Sequence, residues 1–402
     1  MKVVVAIDSF KGSLTSIEAG MAAKEGILKA HPDANVVVKP LADGGEGTTD
    51  ALIAGLGGER IDLTVTGPLG TPVNAHYGYL AEKNTAILEM AAAAGIILVR
   101  ESEKNPLTAT TYGVGEMIAD AMKRGIRNFI IGIGGSATND GGIGMLKALG
   151  YQFSDENGQD VGEGGQALER VSSIIIEKAN PILKECSFHI ACDVTNPLCG
   201  KNGATYIYGP QKGVTPEIAE ELDKAMNHYA SVTSKFLHND YASAEGAGAA
   251  GGLGFAFLSY LNATLTPGID LILNAVELEK ELEDTDITVT GEGRLDHQTA
   301  MGKAPVGVAR LAKKYGSKVV AFPGSNSLQC GRNRCILPDH PWNHNTSRSN
   351  GSPKCKIKYG SSCGTGIPSV IVLTLFTNFR ECFCIVFTEI LSFLYDFLLF
   401  LH

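Results

Sequence analysis

Three times in this 402-residue chain a short apolar run breaks off into a burst of glycine mixed with acidic, amide and hydroxyl residues. The run at residues 3–7 gives way to Asp8-Ser9-Phe10-Lys11-Gly12-Ser13, the run at 128–133 to Gly134-Gly135-Ser136-Ala137-Thr138-Asn139-Asp140, and the run at 287–290 to Gly291-Glu292-Gly293-Arg294-Leu295-Asp296. Four to six apolar residues bounded by turn formers predict a buried strand. Glycine lets the backbone approach an anion closely while polar side chains gather around it, and the chain has 48 glycines. A small-molecule site built from loops at strand ends is therefore expected.

Further strand-like runs at 86–89, 188–192 and 318–322 alternate with helical patterns, of which residues 16–31 are the clearest, with Thr15-Ser16 ahead of Glu18 as an N-cap signal. Strand, polar loop and helix in repetition predict an α/β fold with a mostly parallel sheet, whose ligands lie at the carboxyl ends of the strands. At this length two α/β domains are expected. The Gly/Ala-rich stretch 239–254 runs straight into the apolar helical pattern of Phe255-Ala256-Phe257-Leu258, so it reads as a close-approach loop capping a helix, with a flexible linker as the alternative.

A net charge of −9 without a Lys/Arg stripe argues against nucleic-acid partners. The first apolar run is too short for a signal peptide and leads into a polar motif, which points to the cytoplasm. Cys186, Cys192 and Cys199 have no paired metal spacing and read as free thiols in a reducing compartment.

If phosphates are bound, no P-loop binds them: Gly302-Lys303 is followed by Ala304, where Ser or Thr is required, and His297 stands where the first glycine belongs. Gly132-Ile133-Gly134-Gly135-Ser136-Ala137 matches a dinucleotide fingerprint, with Asp155 about twenty residues on, but Asn139-Asp140-Gly141-Gly142 would then interrupt the helix that the fingerprint must open. An NAD-dependent oxidoreductase is thus the rival.

Five motifs in order carry a more specific likeness: Asp8–Ser13, Pro40-Leu41-Ala42-Asp43-Gly44-Gly45-Glu46-Gly47-Thr48, residues 134–142, Cys192-Asp193-Val194-Thr195-Asn196-Pro197-Leu198, and Thr290-Gly291-Glu292-Gly293-Arg294-Leu295-Asp296. Together they resemble the bacterial glycerate kinase family over residues 1–325. The resemblance implies a flavodoxin-like (Rossmann-like) discontinuous domain from both chain ends, expected at 1–75 and 275–325, with a second α/β domain at 76–274 inserted. It implies phosphorylation of D-glycerate by ATP with Mg²⁺, commonly giving 2-phosphoglycerate, a small-molecule partner, no nucleic acid and no membrane. A homo-oligomer is left open, and an inactive sugar-acid-binding remnant is a third alternative.

On chemical grounds Lys11 and Arg294 are candidates to bind the glycerate carboxylate or the transferring phosphoryl group. Asp43, Glu46, Asp140, Asp193, Glu292 and Asp296 are candidate carboxylates for the metal or the substrate proton, or else acceptors for turn amides. Asp8, Lys11, Asp193, Arg294 and Asp296 are taken as catalytic, and Asp140 and Asp193 as metal ligands. Ser9, Ser13, Asp43, Gly44, Gly45, Glu46, Gly134, Gly135, Ser136, Thr138, Asn139, Asn196, Gly291 and Glu292 are taken as binding substrate or nucleotide.

After Ser325 the composition changes: six of the nine cysteines and the only Trp, Trp342, lie there, and the last thirty residues are strongly apolar. Permitted codons read one nucleotide out of frame give a peptide that resembles the family's own end. Residues 326–402 are therefore expected to be an out-of-frame tail that leaves the first sheet incomplete, and 383–402 are expected not to be a membrane anchor.

Overall fold

The computed structural model describes residues 1–10, 13–42, 44–45, 47–295, 303–326, 356–360 and 370–376, without the side chains of 294, 295 and those after 322. Lys11, Asp43, Glu46 and Asp296, the side chain of Arg294 and most of the tail, 383–402 included, lie outside the described residues.

The chain opens with strand β1 (Lys2–Ile7), helix Ser16–Ala30 and strand β2 (Asn35–Pro40), with β1 and β2 parallel in the register Val3↔Val36 to Ile7↔Pro40. Val3, Val4, Val5 and Ala6 are wholly buried, as expected of a strand covered on both faces. The helix starts where the sequence predicts: Thr15 and Glu18 form a reciprocal capping box.

The chain then builds a second sheet. Strands β3 (Glu59–Thr66), β4 (Pro72–Leu80) and β5 (Thr85–Glu89) form an antiparallel meander, and β5 continues in parallel to β6 (Asn128–Gly132). A small hairpin, β7 (Gln152–Ser154) and β8 (Ser173–Ile175), stands apart from β9 (Ser187–Ala191) and β10 (Thr264–Thr266). The sheet order is β10-β9-β6-β5-β4-β3. Its largely aliphatic core contains a group of rings, with Tyr77, Phe129, Phe153, Tyr229, Phe255 and Phe257 fully buried and the rings of Phe129 and Phe188 stacked at 4.9 Å.

The chain returns to the first sheet with β11 (Ile287–Leu295), helix Ala304–Lys314 and β12 (Lys318–Asn326), and then adds β13 (Lys356–Gly360) and β14 (Val370–Phe376), in the order β13-β14-β12-β11-β1-β2. Only β13 runs against its neighbour. The tail therefore does not leave β12 as an open edge: Val370, Ile371 and Val372 pair with Val319, Val320 and Ala321.

Two compact units result, Met1–Asp43 with the chain from Ile272 onward, and Gly44–Leu271. The first crossing lies at 43/44, not 75/76, because β4 spans residue 75 and pairs with β3 on one side and β5 on the other. The second crossing lies at 271/272, near the expected 274/275.

Candidate active site

In the first unit the motifs meet at the carboxyl ends of β1 and β11. Ile7 pairs with Gly291, and the next amide, Asp8 N, donates to Gly291 O at 2.9 Å. Gly291 is required by spacing, since a Cβ there would stand 2.3 Å from the Phe322 carbonyl oxygen. Asp8 and Glu292 are both buried at 6 % exposure, and the Ser9 amide donates to Asp8 Oδ1 at 2.6 Å. Phe10 and Leu14 close the following loop through reciprocal backbone bonds, and Ser13 N donates back to Phe10 O, which leaves Ser13 exposed on the loop. Beneath it Ser16 Oγ donates to Ile7 O at 2.7 Å and accepts from Leu41 N at 2.8 Å, fastening the end of β1 to the segment after β2.

In the second unit the register Glu89↔Gly132↔Ala191 brings the ends of β5, β6 and β9 level. The Gly44–Gly45 loop lies across these ends. A Cβ on Gly132 would come within 2.6 Å of Gly44 O, and one on Gly44, whose φ is +84°, would meet Gly268 Cα at 3.0 Å and Ala191 Cβ at 3.1 Å. Glu89 holds the far side of this loop: its carboxylate accepts from Gly47 N at 3.2 Å and Thr49 N at 2.8 Å, at the start of helix Thr48–Leu56. Burial pushes the Glu89 carboxyl up, against those two amides, which draw it down.

The loop after β6 is shaped by β-bridge contacts to residues 94–96, with Ile96 N donating to Gly135 O and Ala137 N to Ala94 O. Gly134 and Gly135 are exposed, whereas Ser136, Thr138, Asn139 and Asp140 are buried. Lys212, from the short turn Pro210–Lys212, donates to Ser136 Oγ at 2.6 Å and to the Thr138 carbonyl at 2.7 Å from beneath. Burial draws its ammonium down to about 7, opposed by the charge of Asp140. Asn139 Nδ2 donates to Thr205 Oγ1, while Asn139 Oδ1 and Thr138 Oγ1 are buried with no partner among the described residues. The Gly/Ala-rich stretch is a close-approach element: Ala250, Gly251 and Gly252 are left-handed, and a Cβ on Gly251 would stand 2.1 Å from Thr138 O.

Asp140 is not placed as a metal ligand. Its Oδ2 accepts from Thr111 N and Thr111 Oγ1 at 2.8 Å each and from Gly144 N at 3.4 Å, and its Oδ1 accepts from Gly142 N at 3.1 Å. A wholly buried carboxylate surrounded by these donors serves as a brace, although burial still raises its pKa. Asn196 is a brace as well, donating to Asn202 O and accepting from Tyr208 Oη. Asp193 differs: it is exposed beyond the end of β9, with Oδ1 accepting from Gly268 N at 2.8 Å. Among the described residues no three His, Cys, Asp or Glu side chains cluster, which still suits Mg²⁺, because that ion is commonly held by one or two carboxylates plus substrate phosphates. Asp193 fits that donor set; Asp140 does not.

The dinucleotide fingerprint fails on geometry. The helix after β6 opens only at Ile143, with Gly142 as a left-handed N-cap, so Gly132–Ala137 does not lead into a helix N-terminus. Sequence reasoning missed Lys212, Glu89, Thr111 and Ser16.

What the units present is a pair of α/β sheets whose glycine-rich polar loops collect at the carboxyl strand ends, the arrangement of an α/β enzyme acting on a small anionic ligand. The model of the glycerate kinase family matches residues 3–335, and the chain belongs to that family. It is 48 % identical to the glycerate 2-kinase of Escherichia coli K12 over 325 residues, 81 % of this chain and 85 % of that one. It is 47 % identical to the glycerate kinase of Bacillus subtilis 168 over 327 residues, 81 % and 86 % of the two chains. A crystal structure from Salmonella typhimurium LT2, described as a glycerate kinase 2, matches with a TM-score of 0.78 at 46 % identity over 81 % of this chain and 87 % of that one. The chain is an enzyme of the kinase class, and among the described residues no helix is long and apolar enough to cross a membrane.

Proposed function

We propose that the chain transfers the γ-phosphoryl group of ATP to the 2-hydroxyl of D-glycerate, with Mg²⁺, in the cytoplasm. The observation that carries this reading is the gathering of the 44–47 loop, the 134–139 loop and Asp193 at the level ends of β5, β6 and β9. Gly134 and Gly135 are exposed residues whose amides would suit phosphate oxygens, as backbone N–H groups do in other phosphate-binding loops. Asp193, exposed and acceptor-rich, suits the work of orienting and deprotonating the glycerate hydroxyl or of holding Mg²⁺, which when bound would neutralise charge on the phosphates. In the first unit, Asp8 and Glu292, with Lys11, Arg294 and Asp296 nearby in sequence, are assigned acid and cation roles on the chemistry of their motifs, the cations suiting a carboxylate or a phosphoryl group. Ser9, Ser13, Asp43 and Glu46 are assigned to ligand contacts in the same loops. Residues 326–402 are taken to be an out-of-frame ending, so a frame-restored chain should be at least as active as this one.

The test is ADP release with and without D-glycerate, with the phosphorylated carbon identified by phosphorus–proton NMR, on both chains. ADP formation independent of D-glycerate would sink the assignment, and 3-phosphoglycerate as the product would overturn the choice of hydroxyl.

A further inference from the structure

Lys212 is 2 % exposed, yet its ammonium makes no ion pair among the described residues. Among the described residues its two hydrogen bonds go to neutral oxygens, Ser136 Oγ and the Thr138 carbonyl. The charge that acts on it is Asp140, through space, and the oxygens of Asp140 are already taken by Thr111, Gly142 and Gly144. Burying an ammonium without a paired carboxylate is costly, and this chain bears that cost directly under its most glycine-rich motif. An ammonium has three protons to donate, so one of the three remains for a further acceptor. Ser136 Oγ accepts from Lys212 and must therefore turn its own proton away from the ammonium.

We propose that Lys212 is a positioning residue of the phosphoryl-transfer site: it holds Ser136 and the Thr138 carbonyl so that the Ser136 hydroxyl and the Gly134–Gly135 amides face an anionic oxygen of a phosphate-bearing ligand, whose charge completes the buried cation. This rests on the reading that the 134–139 loop receives an anion. Nothing local in Gly209-Pro210-Gln211-Lys212-Gly213 points the side chain inward; its place comes from the fold.

Among the described residues the groups facing Lys212 are few. Asp140 lies behind the loop, and Glu163 and Tyr229 interact with Asp140 in turn. Lys104, whose carbonyl lies against Gly213, is paired with Glu101. A charged Lys212 is the form that completes the site, so kcat/KM should fall as pH rises past about 7, where burial has drawn its titration.

The experiment uses the full chain with Mg-ATP and D-glycerate as probes and measures kcat, KM and unfolding midpoint for wild type, K212M, S136A and the double variant between pH 6 and 9. Absence of D-glycerate-dependent turnover in the wild type would defeat the proposed function itself and with it this inference. Given wild-type turnover, K212M should lose about 100-fold in kcat/KM and S136A about tenfold, with the double variant no worse than K212M, because the two side chains act as one unit. The alkaline fall should be absent from K212M. Additive losses, a K212M value within about twofold of wild type, or an unchanged pH profile in K212M would each overturn the proposal. If K212M does not fold, S136A decides: a loss of activity at an unchanged midpoint supports it, and wild-type kcat/KM overturns it.

Discussion

Asp140 and Thr111 are joined twice, the Thr111 amide and hydroxyl both donating to Asp140 Oδ2 at 2.8 Å, and the same hydroxyl accepts from Met145 N at 2.9 Å. The carboxylate therefore ties the loop after β6 to the start of helix Tyr112–Lys123. Asp140→Asn would set an amide NH₂ against backbone N–H donors in either orientation, Gly142 N on one side or Thr111 N and Gly144 N on the other. A buried donor facing donors costs about 2–3 kcal/mol, so the variant should unfold earlier in urea by that amount. A midpoint equal to wild type, with lost Mg²⁺ dependence of turnover, would return Asp140 to the metal.

Asp193 should behave in the opposite way. It is exposed, and the bond that its Oδ1 accepts from Gly268 N survives in an Asn side chain. Asp193→Asn should cost at least about 100-fold in kcat, the scale of a lost acid–base or metal-holding group, at a nearly unchanged unfolding midpoint. Stopped turnover assays beside thermal melts would check both halves. Retained kcat would remove Asp193 from the chemistry.

These two aspartates mark what was legible in sequence. Strand-end glycine and acid clusters revealed the loops, because buried parallel strands are continuous apolar runs and their ends are abrupt. The half-exposed strands β3 and β4 give a weaker signal: Glu59–Thr66 alternates polar with apolar throughout, and Pro72–Leu80 alternates up to Tyr77 before its short apolar end. That weakness displaced the first unit boundary by about thirty residues. A motif shows which polar residues cluster but not which of them the fold already occupies: Asp140 and Asn196, ligand candidates by their motifs, here hold partners from Thr111, Asn202 and Tyr208. Lys212 lies 76 residues from Ser136, and Glu89 lies 42 from Gly47; such partners are set by register and crossover, not by spacing.

Gly132 shows how tightly two motifs are stacked. Its Cβ would meet Gly44 O at 2.6 Å, and backbone cannot yield as a flexible side chain does. Gly132→Ala should displace the 44–47 loop, with a loss of about 1–3 kcal/mol in stability and a raised KM. Wild-type KM and stability together would mean that the loop gives way freely.

Ser16 gives a test confined to the first unit. It bridges Ile7 O and Leu41 N, so Ser16→Ala leaves a buried carbonyl and a buried amide without their partner. The expected loss is about 2–3 kcal/mol, with Ser16→Thr recovering part of it if the added methyl fits. Hydrogen exchange at Leu41 N should accelerate in the Ala variant; unchanged protection there would contradict the bridge.

Lys212 also makes stability depend on pH with a definite sign. Unfolded, its ammonium releases its proton near the usual lysine value of 10.5; folded, burial lowers this to about 7. Between those values the unfolded chain carries a proton that the folded chain does not, so the difference in bound protons is positive and unfolding free energy rises with pH. Below pH 7 both states are charged and the cost of burying the ammonium is fully felt. Wild-type stability relative to K212M should therefore climb from pH 7 towards 10, by an amount on the order of a few kcal/mol over the whole interval. Urea unfolding of both chains at each pH isolates this group, since every other titration is common to the two. A difference flat in pH would mean that the ammonium keeps its charge in the unliganded fold, and one that falls with pH would mean that an acidic partner holds it there.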